Sequence, residues 1–140
     1  MFYMRFIIIL AGFFLLGACA PSANTPIKVS QLIKTTTTWD GTPIVYPAGT
    51  AEVTGMLIEI APGAETGWHQ HPIPSFEVLL EGTLEVTLAN GKTKRITAGE
   101  AVLEVVNTPH NGRNVGNTPA KIIAFYAGTV GSALTVKQAK

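Results

Sequence analysis

The chain has one cysteine and one aspartate, and few charges of either sign. A single Cys19 excludes an internal disulfide framework and any zinc cage built on two or more thiolates. With Asp40 the only aspartate, no Ser-His-Asp arrangement assembles convincingly, and no glycine loop cradles a phosphate between a strand and a helix. Charged residues make up 14% of the 140, against about a quarter in ordinary domains, and the net charge is +1. No nucleic acid partner is indicated by that balance. At 46% apolar the chain is too hydrophobic for disorder, and at 14.8 kDa it has room for one core.

Part of the hydrophobicity lies at the start. A lone Arg5 precedes an uncharged apolar run from Phe6, which reaches Ala20 and is short for a membrane-spanning helix. That pattern is expected of a secretory signal over residues 1–18. The run ends in Leu16-Gly17-Ala18-Cys19, which resembles the lipobox of bacterial lipoproteins. The resemblance implies cleavage before Cys19, acylation of its thiol and a membrane partner through that lipid anchor. The expected location is therefore the cell envelope, as a lipoprotein secreted across the inner membrane, with 19–28 as a tether. An ordinary cleaved signal, or a short uncleaved anchor, is the other reading.

Beyond Cys19, glycine and proline interrupt the chain so often that the longest stretch free of both is Ile27 to Asp40. That stretch holds Thr35-Thr36-Thr37-Thr38, and consecutive β-branched residues favour a strand. Helices need longer uninterrupted runs, so the expectation is all-β. Strands are expected at 29–39, 44–46, 51–60, 65–71, 76–81, 83–88, 93–96, 101–106 and 120–127. In 83–88, Leu84, Val86 and Leu88 alternate with Thr83, Glu85 and Thr87, and Asn90-Gly91 is a strong hairpin signal. Short strands at even spacing suggest a sandwich or barrel over 29–130, followed by a tail at 131–140.

Three histidines carry the chemistry. His69 and His71 are separated by one residue, so on an extended segment both rings point to one face. A metal needs a further donor from another stretch, and His110 is the remaining imidazole. Taken singly, each reads as a solvated surface residue. Trp68 reads as packing or the rim of a pocket, Trp39 and Tyr46 as packing. Glu104 and Arg113 bracket His110 and read as surface or salt-bridged groups, with orientation of a ligand as the alternative.

The spacing around these histidines resembles the cupin superfamily. Gly63, His69-Gln70-His71, Pro72 and Leu80-Glu81-Gly82 match its first motif, while Gly99, His110 and Asn114 fall at the spacings of the second. The resemblance covers about 44–127 and implies a single antiparallel cupin barrel, or jelly roll, with His69, His71 and His110 as metal ligands. The family's ligating glutamate falls on Ser75, a poor ligand. Glu77, two residues on, is either a fourth ligand in its place or a buried carboxylate paired elsewhere. In the second motif Val105 and Asn107 stand where proline and glycine are expected.

Three neutral imidazoles hold a divalent ion and leave coordination positions open. Iron(II) is the first expectation, with manganese, nickel, copper or zinc as alternatives. Cupins with three histidines and no glutamate include dioxygenases, so the resemblance implies a metal-dependent oxygenase acting on a small organic molecule. The alternative is a non-catalytic module that binds a small ligand or metal. A homodimer paired through the threonine-rich first strand is expected by analogy with other cupins.

Overall fold

The computed structural model describes residues 26–138. Its elements are nine strands: β1 (Ala51–Ile60), β2 (His69–Gln70), β3 (Ser75–Glu81), β4 (Thr83–Leu88), β5 (Thr93–Thr97), β6 (Ala101–Leu103), β7 (His110–Asn114), β8 (Ala120–Thr129) and β9 (Val136–Lys137). One antiparallel sheet runs β1-β8-β3-β6, the other β5-β4-β7-β2-β9. The all-β expectation holds, and among the described residues there is no helix. The expected signal, Cys19 and most of the tether lie outside the described residues.

Period-two patterning places the core. In β4 the side chains of Leu84, Val86 and Leu88 are buried, while Thr83, Glu85 and Thr87 are half-buried. Leu84 and Val86 cluster with Leu79 from β3 and Ala120 and Ile122 from β8, joined by Ile60, Ile96 and Val102. Each such aliphatic side chain contributes about 1.5–3 kcal/mol by leaving water. This cluster fills one end of the sandwich and floors a cavity at the other.

Two family-motif residues explain how the chain turns between sheets. β3 belongs to one sheet and β4 to the other, and the switch is made at Gly82 alone, with φ +83°. A Cβ there would lie 2.8 Å from both the Ala120 Cα and the Pro119 carbonyl oxygen. Asn114 is wholly buried: its amide nitrogen donates to the Ile60 and Thr118 carbonyls at 2.8 Å, and its oxygen accepts from the Gly116 N–H at 2.9 Å. One side chain thereby ties the end of β1 to the β7–β8 turn.

Several elements differ from expectation. No strand forms over 29–39 or 44–46; Thr37 makes an isolated bridge with Pro43, and residues 26–36 are exposed. β-branching favours extended backbone, but a strand also needs a neighbouring ladder, and here the Thr35 hydroxyl bonds locally to Thr37 instead. The edge strand expected to pair two copies is therefore not formed. The expected 65–71 strand shrinks to β2, the 101–106 strand ends at Leu103, and β7 was not expected as a strand. At the hairpin only Gly91 has positive φ; Asn90 works through its side chain, which accepts the Lys92 N–H at 3.0 Å. β9 lies in the stretch expected as a tail and pairs with β2.

Because backbone rather than a yielding side chain blocks position 82, Gly82→Ala should cost about 3 kcal/mol or more in urea unfolding. Gly91→Ala, where φ is +84° and nothing lies within 4 Å, should cost about 1 kcal/mol. Equal losses at the two positions would show that steric contact at the sheet switch is unimportant.

Candidate metal centre

Strand pairing brings two of the three imidazoles together directly. His69 on β2 is the antiparallel partner of His110 on β7, and residues opposed in this way project side by side. Their ring centroids lie 4.4 Å apart. His71 follows at the same parity, where the chain leaves β2 for a parallel bridge to Val106, and its ring is 4.9 Å from His69 and 5.1 Å from His110. All three are buried, and each offers a donor atom within 4.8 Å of the others. Among the described residues this donor group comprises the histidines alone; Glu77 is not part of it.

Hydrogen bonding fixes which nitrogen each ring presents. The Nδ1 atoms donate to carbonyl oxygens of Gly67 at 2.7 Å, Leu134 at 2.8 Å and Thr108 at 2.8 Å for His69, His71 and His110. A carbonyl only accepts, so Nδ1 carries a proton, and in the neutral ring Nε2 then keeps its lone pair. Metal-ligating histidines are held in this way, by a hydrogen bond on the nitrogen away from the metal. The donor set thus fits a divalent ion. Burial holds His69 below the ordinary imidazole pKa and lowers His71 to about 4, which keeps both rings neutral.

The rings face a cavity of about 150 Å³, also lined by Thr66, Tyr126, Thr135, Lys137, Glu77 and Glu104 over an apolar floor of Ile60, Val86 and Ile122. Ser75, at the family's glutamate position, is fully buried and donates to Glu77 Oε1 at 3.1 Å. Burial, reinforced by the neighbouring Glu104 charge, pushes the Glu77 carboxyl up to about 8, so it is protonated at neutral pH. Glu104 is not on the surface. It is 2% exposed, and its Oε1 accepts the Trp39 indole N–H at 2.7 Å and the Val105 N–H at 2.8 Å. A proline at 105 has no N–H to give, so the departure from the family pattern supplies one of the two donors. Asn107 has φ 54°, a conformation glycine adopts freely and asparagine tolerates, which accounts for the substitution there.

Other residues divide cleanly. Arg113 is exposed, 3.8 Å from Glu65; Trp68 is exposed and off the cavity wall; Tyr46 stacks on Phe76 at 6.5 Å. Sequence reasoning missed Tyr126, Thr135 and Lys137 as cavity residues. Alternation in β8 could have found Tyr126, since it shares the buried parity of Ala120, Ile122 and Ala124. Nothing local marks Thr135 or Lys137.

In metal-free protein, the buried imidazoles and the buried Glu77 carboxyl pull stability in opposite directions with pH. Unfolded chain takes up a proton on His71 near pH 6.5, while the native state refuses it until about 4, so acid destabilises across that interval. Native Glu77 keeps to about pH 8 a proton that the unfolded chain sheds near 4.5, so rising pH destabilises there. Above 6.5 the unfolded imidazoles shed their protons and that opposition fades, leaving Glu77 dominant. Urea unfolding of chelator-treated protein should give about 1 kcal/mol less stability at pH 8 than at pH 6.5, and Glu77→Gln should abolish the decline. An undiminished decline in that variant would assign it to another group.

Comparison with known proteins agrees with this geometry. The cupin-domain family profile matches residues 56–126, just over half of the chain. No curated protein matches it in sequence. Among solved structures, oxalate decarboxylase from Lactobacillus farciminis superposes with a TM-score of 0.54 at 20% identity, covering 61% of this chain and 26% of that one. The DMSP lyase DddQ from Ruegeria pomeroyi gives 0.53 at 21%, covering 61% and 43%. A Klebsiella pneumoniae protein with a double-stranded beta-helix domain gives 0.52 at 20%, covering 70% and 83%. The chain thus aligns with about a quarter of the decarboxylase and under half of the lyase, and at these identities the likeness is one of fold. By its family match and its paired antiparallel sheets, the chain belongs to the cupin superfamily.

Proposed function

We propose that this cupin binds one divalent metal ion through His69, His71 and His110 and acts on a small organic molecule, as an oxygenase using iron. The observation that carries the reading is the three Nδ1–H bonds to carbonyls, which leave three Nε2 lone pairs at a shared cavity. A bound divalent ion would supply Lewis acidity and open coordination positions. The chain's own groups would do the rest. Tyr126, Thr66 and Thr135 offer hydroxyls to orient a substrate, the apolar floor excludes water, and Glu77 holds a proton inside the cavity. Manganese is the first alternative metal, since Mn(II) centres are those of a Bacillus subtilis oxalate decarboxylase that shares the fold at a TM-score of 0.53 and 19% identity. Residues 1–18 as a signal and a lipidated Cys19 complete the proposal by placing the domain at the cell envelope; their support is the sequence.

Full-length protein purified in detergent should carry about one divalent ion per chain, falling at least about tenfold in His69→Ala and in His110→Ala while the fold persists. Oxygen consumption with a panel of thiols, diketones and phenolics should follow the metal. Metal bound with no turnover on any class would turn the reading toward a binding module, and full metal content in both variants would remove the histidines from it.

A further inference from the structure

Among the described residues the cavity wall carries one cation. Of its lining residues Lys137 alone is a lysine or arginine. On β9 it is the antiparallel partner of His69, so its side chain leaves the backbone beside that imidazole and on the same face of the sheet. The ion pairs among the described residues are Arg95 with Glu85, Arg113 with Glu65 and Lys121 with Glu81, and Lys137 enters none of them. An ammonium on the wall that carries the imidazoles, with no carboxylate within salt-bridge distance among the described residues, is a receptor for a negative charge brought from outside.

We propose that Lys137 is a specificity-determining residue that recognises a carboxylate on the substrate, while the three-histidine side of the cavity takes the part to be transformed. The inference rests on the function proposed above and names its substrate class. A carboxylate fits better than a phosphate group. Among the wall's own described groups one ammonium matches a single negative charge, there is no guanidinium fork, and the Glu104 carboxylate opposes a second charge. The hydroxyls of Thr66, Thr135 and Tyr126 can donate to the remaining carboxylate lone pairs. The space of about 150 Å³ suits an acid of a few heavy atoms.

The test is calorimetric binding of malonate, acetate, acetamide and inorganic phosphate to full-length wild type, Lys137→Gln and Lys137→Arg, each with and without metal. Because Lys137 is exposed at its edge, both variants should keep the wild-type melting temperature and metal content. Lys137→Gln should weaken malonate and acetate about tenfold, Lys137→Arg should retain them within about threefold, and acetamide should not distinguish the three proteins. Unchanged carboxylate binding in Lys137→Gln overturns the inference, as does the lack of saturable carboxylate binding by wild type. Phosphate bound more tightly than malonate with the same dependence on Lys137 overturns the carboxylate assignment. A wild type that holds no metal defeats the three-histidine reading, and the metal-free series still decides the role of Lys137.

Discussion

A buried imidazole has two nitrogens, and its neighbours decide which of them keeps the proton. In this sandwich the choice is made three times in the same sense, by carbonyls of Gly67, Thr108 and Leu134 bonded to Nδ1. Without those bonds the rings would be free to flip or change tautomer, and three aligned lone pairs would become three unrelated ones. His69 and His110 find their acceptors two residues back in their own chain; His71 finds its acceptor sixty-three residues ahead. The site is therefore secured by two local bends and one long-range contact. The neutrality of His69 and His71 follows from the same burial that makes an unpartnered imidazole costly.

The departures from the family pattern form a connected set. Serine at position 75 removes a carboxylate from the ligand position and lends its hydroxyl to Glu77. Glu77 sits at the next inward position of β3, where desolvation and the Glu104 charge keep it protonated. Glu104 is stabilised in the wall by an indole and by a backbone N–H that a proline at 105 would have lacked. The charge that would have stood on the metal has, in effect, been moved into the wall. Three neutral donors remain, so a bound ion keeps its full double charge toward anything entering the cavity, and Lys137 adds to that positive field.

What the sequence disclosed follows its physical range. Alternation in β4, the Asn90-Gly91 turn and the one-residue gap between His69 and His71 are local, and each was legible. His110 needed a motif spacing to be joined to the pair, since its contact with His69 is a cross-strand register that no local pattern states. The threonine run misled because propensity describes a backbone preference and says nothing of whether a neighbouring strand exists. Glu104 misled in the opposite way: a lone carboxylate reads as surface until Trp39, sixty-five residues earlier, is found donating to it. Of the wall residues, Lys137 lies on a two-residue strand held by β2 and Thr135 just before it, where tertiary pairing alone determines the structure.

The long reach from His71 to Leu134 also bears on how the molecule is assembled. A nascent chain synthesised through β8 would already own every imidazole and most of the hydrophobic core, yet one ring would still lack its fixed orientation. Only when the final strand docks does the third nitrogen settle, so ion capture should be a late event that reports completion of the fold. Premature loading, at a half-built centre with two fixed donors, would be comparatively weak and readily reversed.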